Sequence, residues 1–241
     1  MERKHFLKGS LGLLGISAVI DACKKDAAEI TSGIAGEGNI SNAASCVISP
    51  SETEGPYPYP GGEINNPLNR SNVTEGTQTG IPLVYTFTVV NTNDSCAVVE
   101  GARVDIWHCN KDGYYSGYAN QQGYLGAKDY TGQTWLRGYQ VTDTNGKVIF
   151  KTIYPGWYIG RATHIHVEVY VNNVLKKTTQ VGFTDSINEK VYKTSLYKAH
   201  GQNNTTNAKD NVFKDSITSE LTALSRNGNT LYGSYTIGIA L

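Results

Sequence analysis

Period-two alternation is the feature that most restricts what this chain can become. Thr163-His-Ile-His-Val-Glu-Val-Tyr-Val171 sets polar and apolar side chains at every second position, and Leu83–Val90 and Ala102–Cys109 repeat the pattern. Side chains that alternate between two faces belong to strands. The runs are short and stop at turn-forming clusters: Asn91-Thr-Asn-Asp94, Asn110-Lys-Asp-Gly113 and Asp143-Thr-Asn-Gly146. Tyr139–Thr142 and Lys147–Ile153 flank the third cluster and are predicted to pair across it as a hairpin. Ala97–Val99, Thr178–Phe183 and Ser234–Ala240 add further strand candidates, while helical spacing is confined to Ile187–Ala199 and Ser216–Leu224. The expectation is an all-β fold: a two-sheet β-sandwich with a short helical excursion in the C-terminal part. Twenty-six Gly and sixteen Tyr against one Met agree with a turn-rich β protein.

Before the first strand the chain reads differently. Arg3, Lys4, His5 and Lys8 precede an apolar run from Leu11 to Ile20, and Cys23 follows. That run is too short for the ~20 residues a membrane-spanning helix needs, and it has the length of a signal-peptide core. Ile20-Asp21-Ala22-Cys23 resembles a bacterial lipobox, with Asp at its middle position, which implies cleavage before Cys23 and a lipid anchor on its thiol. Arg3-Lys4-His5-Phe6-Leu7-Lys8 resembles a twin-arginine export signal, with Lys for the second Arg. Residues 24–45 are rich in Ala, Gly, Ser and acidic side chains without periodicity, as in a flexible tether. The expected organisation is an export signal over 1–22, a lipid-anchored tether over 23–45 and one domain over 46–241, placed at the cell envelope outside the cytoplasm. Cys46, Cys96 and Cys109 remain, which allows one disulfide in any of three pairings and one free thiol. With no CxxC, a structural zinc site is not expected. Lys+Arg and Asp+Glu are both 21, so no basic field exists to hold nucleic acid.

Chemistry concentrates in three places. His164 and His166 are two apart on a predicted strand, so both imidazoles share one face and form half of a metal site. Tyr154-Pro-Gly-Trp-Tyr158 puts Tyr158 at a loop end just before that strand, with Arg161 between. Asp105-Ile-Trp-His-Cys-Asn-Lys-Asp-Gly-Tyr-Tyr115 ends a strand in a glycine turn that presents Tyr114 and Tyr115. Each feature alone has a plainer reading: hydrogen-bonded histidines, rim tyrosines, a solvated arginine.

In combination these segments, with Ser49-Pro-Ser-Glu-Thr-Glu-Gly-Pro-Tyr57 and Leu136-Arg-Gly-Tyr-Gln-Val-Thr-Asp143, resemble the intradiol ring-cleavage dioxygenases over about Cys46 to Phe183. The segment ending at His166 is most similar to the exported, single-domain branch. The layout is nearer to one protocatechuate 3,4-dioxygenase subunit than to catechol 1,2-dioxygenases with their helical N-terminal region. The resemblance implies a non-haem Fe(III) held by Tyr115, Tyr158, His164 and His166. It implies a catechol-type substrate cleaved by O2 between its two hydroxylated carbons, giving a muconate-type diacid. It makes Tyr158 the labile ligand that takes a substrate proton, Arg161 the stabiliser of negative charge on the ring, and Gln180 an orienting side chain. Tyr57, Tyr118 and Trp157 would line the pocket. Only Ile159–Thr163 separates Tyr158 from His164, a shorter loop than in better-known members, and Cys109 stands where a small residue is common. Two other readings compete: an exported, lipid-tethered binding module for aromatic or carbohydrate ligands, and a structural adhesive domain. The first predicts that one of the four ligands is missing; the second leaves the Tyr–Arg–His–His order without a purpose.

Overall fold

The structure, a computed structural model, describes residues 46–241; the expected export signal and tether, with Cys23, lie outside the described residues. The alternating segments form strands in two main sheets. The first sheet is built on β1 (Pro82–Asn91) and the second on β3 (Arg103–Trp107) and β8 (His164–Val171). In the first sheet β1 pairs in parallel with β11 (Thr230–Ile239), which pairs in turn with β10 (Ala223–Asn227). Its other edge carries the short β2 (Ala97–Val98) and the antiparallel β7 (Lys147–Ile153). The second sheet runs β6 (Arg137–Val141), β3, β8, β9 (Val174–Gly182). Leu83, Tyr85, Phe87 and Val89 from one sheet and Val104, Ile106, Ile165 and Val167 from the other belong to one buried core. The two-sheet β-sandwich is therefore present. A small separate hairpin, β4 (Gln121–Gly123) with β5 (Gly126–Lys128), was not anticipated, nor was β10.

Three expectations need correction. The Asp143–Gly146 turn forms, with Gly146 N donating to Asp143 O at 2.8 Å, but its flanking strands are not hairpin partners. β6 pairs with β3 and β7 with β1, so this turn carries the chain from one sheet to the other. A strand pair that looks local in sequence gives way to partners distant in sequence on each side. Next, the helix expected over 187–199 is α1, Asp185–Lys193, capped by the Thr184 side chain accepting from Ile187 N. It stops because the Thr194 hydroxyl donates to Val191 O, giving the backbone an alternative to another helical turn. Finally, the helix expected over 216–224 is only α2, Ile217–Glu220, because Ala223 and Leu224 pair with β11 instead.

Of the three possible disulfides, Cys46–Cys96 is the one formed, and Cys109 is free and buried. The bridge ties the start of the described chain to the turn after β1 across 50 residues, a loop whose closure stabilises by about 2–4 kcal/mol.

β8 is buried on both faces, although its sequence alternates. Ile165, Val167 and Val169 enter the core; His164, His166 and Glu168 face the other way and are still covered. The cover comes from both flanks. Residues 49–60 lie across β9, with Glu52 N donating to Thr178 O at 3.0 Å and Lys177 Nζ donating to Ser49 O at 2.9 Å. The stretch after α1 closes the other side through Asp210 and Phe213. An outer sheet face buried under two irregular segments is where the chemistry-bearing residues gather.

Candidate metal centre

Sheet register places the centre. His166 pairs with Trp107 of β3 and with Gln180 of β9, and Trp107 pairs with Arg137 of β6. All four therefore share the outer face in one row. β8 and β9 are joined by a two-residue loop, Asn172-Asn173, with φ of 52° and 61°, the conformation of a tight hairpin turn, and an irregularity between Val169 and Tyr170 shifts the register by one so that Gln180 stands opposite His166. Trp107 stacks flat on His166, with centroids 4.8 Å apart and ring planes 5° from parallel, and so fixes the plane of the imidazole. Two loops bring the tyrosines in. The turn after β3 delivers Tyr115, whose backbone N–H donates to Gln121 Oε1 while Gln121 Nε2 returns a bond to Tyr115 O, both at 2.7 Å. The Pro155-Gly156 turn delivers Tyr158. It rests against the first loop so closely that a Cβ on Gly156 would lie 2.5 Å from Asn110 O.

His164 Nε2 lies 3.0 Å from His166 Nε2 and 3.3 Å from Tyr115 Oη. His164 Nδ1 donates to Ala162 O at 2.6 Å, which places its proton there and leaves a lone pair on Nε2. Burial, with the Arg161 charge nearby, lowers the His164 pKa to about 3. Burial, with His164 and Arg161 adding to it, holds His166 well below the usual histidine range. Both rings are neutral at neutral pH and their Nε2 atoms converge. Burial drives the Tyr115 phenol well above 10, with Cys109 and Tyr158 adding to the rise. Burial also raises Tyr158, against the opposing charge and hydrogen bond of Arg161.

This donor set fits a small, highly charged cation. His164 Nε2 and His166 Nε2 face one another at 3.0 Å, and because His166 Nδ1 has no partner, nothing in the fold ties the His166 proton to either ring nitrogen. With the His166 proton on Nδ1, a cation beside the two Nε2 atoms would take both lone pairs. The same cation would supply the charge needed to strip a proton from a buried phenol. The covering strap leaves no slack: a Cβ on Gly55 would lie 2.9 Å from His166 Cε1. Among the described residues no three His, Cys, Asp or Glu side chains form a metal-holding group, so a centre here depends on tyrosine oxygens.

The four expected ligands, Arg161 and Gln180 meet here. Arg161 Nη1 donates to Tyr158 Oη at 3.4 Å and Nη2 to Gln180 Oε1 at 2.5 Å. Gln180 Nε2 donates to Thr53 O at 2.7 Å, so its amide bridges the arginine and the strap. Tyr57 stacks on Tyr115 with centroids 4.8 Å apart and meets Tyr118 edge-on at 5.1 Å. Trp157, expected at the pocket, turns away: it packs on His200 at 4.2 Å and donates through Nε1 to Gly201 O. His108 is not part of the centre, because its nitrogens engage Thr152 Oγ1 and Cys109 O. His200 bonds Trp157 O, and Tyr114 donates to Gly126 O.

Two residues of the site were missed. Trp107 was recoverable, since alternation along β3 puts it on the face of Asp105 and hence beside His166. Asp210 was not. It lies 49 positions beyond Arg161 in a polar stretch without periodicity, yet its carboxylate accepts from Arg161 Nε at 2.8 and 3.1 Å and from Ala162 N at 2.6 Å.

Comparison with known proteins agrees with the geometry. The family model Dioxygenase_C, described as "Dioxygenase", matches residues 53–213. No curated protein matches the chain. Among solved structures, the intradiol ring-cleavage dioxygenase of Tetranychus urticae superimposes with a TM-score of 0.71 at 30% identity, covering 81% of this chain and 95% of that one. The dioxygenase domain of a dioxygenase–carbohydrate-binding fusion from Streptomyces sp. SirexAA-E gives 0.59 at 22% identity, covering 81% and 99%. The 3-chlorocatechol 1,2-dioxygenase of Rhodococcus opacus 1CP gives 0.54 at 20%, covering 80% and 72%, and shares the fold. Because the family match spans both tyrosines and both histidines and the mite enzyme aligns along nearly its whole length, this chain belongs to the intradiol ring-cleavage dioxygenase family.

Proposed function

We propose that the protein cleaves a catechol-type ring between its two hydroxylated carbons with O2, giving a muconate-type diacid, at a non-haem Fe(III) held by Tyr115, Tyr158, His164 and His166. The observation that carries the reading is the convergence of the two Nε2 atoms at 3.0 Å beside Tyr115 Oη. When bound, ferric iron withdraws electron density from a chelated catecholate and so opens its ring to O2.

The chain's own residues divide the remaining work. Tyr115 is fully buried, clamped by Gln121 and stacked under Tyr57, so it is the fixed ligand. Tyr158 is partly exposed at the end of a loop whose next residue, Ile159, is 62% exposed. It is the phenol free to swing, and its Oη is the acceptor for a proton from a substrate hydroxyl. Arg161 Nη1, beside that oxygen, presents positive charge where negative charge grows on the substrate. Tyr57 and Tyr118 give the substrate ring an aromatic wall.

Reconstituting the purified domain with Fe(III) tests this reading. The expected result is one high-spin ferric ion per chain and a visible phenolate-to-iron absorption band. Catechol addition should shift the band, and O2 should then be consumed. A protein that stays colourless, with no ferric EPR signal, refutes the centre.

The site of action belongs to the same proposal: export by residues 1–22 and a lipid on Cys23. The Cys46–Cys96 bridge supports an oxidising compartment. Mass spectrometry of the membrane fraction should find a mature chain starting at acylated Cys23. An intact N-terminus with unmodified Cys23 rules the anchor out.

A further inference from the structure

The contacts around Arg161 point to a residue that neither motif nor spacing marks. Arg161 is the hub of the cover over the outer sheet face, with its side chain 11% exposed and that of its partner Asp210 fully buried. Its fork is divided three ways: Nε to Asp210, Nη2 to Gln180 and Nη1 to Tyr158. Arginine has four single bonds to rotate, and a fork held at Nη2 alone can still pivot about that bond. Asp210 removes the pivot by taking the Nε edge with both carboxylate oxygens.

The carboxylate is itself held. Oδ2 accepts from Ala162 N at 2.6 Å and Oδ1 from Val212 N at 2.8 Å. Burial would raise the Asp210 pKa, but the Arg161 charge and these N–H donors outweigh it and keep the carboxyl below its usual value. Ala162 in turn carries the carbonyl that fixes the His164 tautomer. Asp210 thus reaches both the arginine and the backbone that seats a histidine, from a segment outside both sheets.

We propose that Asp210 is a positioning residue for ring cleavage: it locks the Arg161 guanidinium so that Nη1 faces Tyr158 Oη and the substrate. This rests on the proposed role of Arg161. The ion pair also makes the hub neutral overall, so Arg161 aims its field at charge that develops during reaction without a large standing charge beside the phenol.

The test uses Asp210→Asn, Asp210→Glu, Arg161→Ala and the Arg161→Ala/Asp210→Asn double variant. Asp210→Asn is expected to lower kcat roughly 10- to 100-fold, the scale for a misaimed group, with KM for catechol and iron per chain within about twofold. In the Arg161→Ala background the same change should leave kcat unaltered. Asp210→Glu, which keeps the charge one methylene away, should recover part of the rate.

Thermal melting of the metal-free variants gives a second readout, independent of turnover. Asp210→Asn should lower Tm in the parent but raise it in Arg161→Ala, where it removes an unpaired buried charge. A role limited to holding Ala162 and Val212 would lower Tm in both backgrounds and overturn the proposal. Asp210→Asn at the parent rate beside a slow Arg161→Ala overturns the positioning role alone. Arg161→Ala at the parent rate overturns the underlying reading of Arg161, and the proposal with it.

Discussion

Replacing His164 or His166 by alanine is expected to empty the metal centre and abolish ring cleavage, whereas His108→Ala and His200→Ala keep iron and activity. The four histidines separate on geometry. His164 and His166 bring their Nε2 atoms within 3.0 Å of each other, and the other group near His164 Nε2 is Tyr115 Oη at 3.3 Å, itself an expected ligand. His108 spends both nitrogens on Thr152 and Cys109, and His200 spends Nε2 on Trp157 O. Losing a ligand should cost more than the roughly 10- to 100-fold in affinity that follows removal of a ligand's outer partner. Burial pushes the His108 pKa down to about 4, so its removal takes away a neutral packing group and shows as a lower Tm rather than as lost metal. Iron per chain, measured on all four variants after equal Fe(III) loading, decides. Stoichiometric iron in both the 164 and 166 variants refutes the assignment.

The second large effect is at Arg161. Alanine there should slow turnover by about 100- to 1000-fold, or about 2.7–4 kcal/mol of transition-state stabilisation, with iron nearly unchanged. A guanidinium has no lone pair to give, so Arg161 cannot be a ligand, and its contribution must be electrostatic. An exposed arginine would matter little, because solvent screens it. This one sits 3.4 Å from Tyr158 Oη under the strap. Its removal also strands the Asp210 charge, and breaking a buried pair costs about 3–5 kcal/mol of folding stability. Rates are therefore to be compared per folded, iron-loaded chain in single turnovers with catechol at controlled O2. The variant should form its coloured substrate complex and then stall; turnover at the parent rate would remove Arg161 from the chemistry.

The strands that carry the centre were legible because their side chains alternate in polarity with period two, although β8 is in fact covered on both faces. His164 and His166 needed only the pleat to be placed side by side. Tyr115 and Tyr158 were legible through their glycine turns and through resemblance, since nothing in spacing alone says that two loops 43 positions apart meet. What spacing could not give was partner choice. β6 and β7 look like a hairpin because the turn between them is well formed, yet the choice of partner depends on strands far away in sequence. Trp157 looked like a pocket residue because it adjoins Tyr158, but the turn rotates it onto His200. Asp210 was invisible for the opposite reason. Its value comes wholly from a three-dimensional encounter between a polar stretch without pattern and an arginine loop.

The parallel pairing of β1 with β11 sets an order of events during synthesis. Leu83 through Asn91 bond to Leu231 through Ile239, so β1 waits on the last residues of the chain for one entire edge. Parallel contacts so distant in sequence form late. While the ribosome is still adding β9 and the helical excursion, the sandwich lacks the strand that closes its first sheet. The first sheet therefore closes late, and an unfinished copy of this protein is an open sheet edge rather than a weaker enzyme.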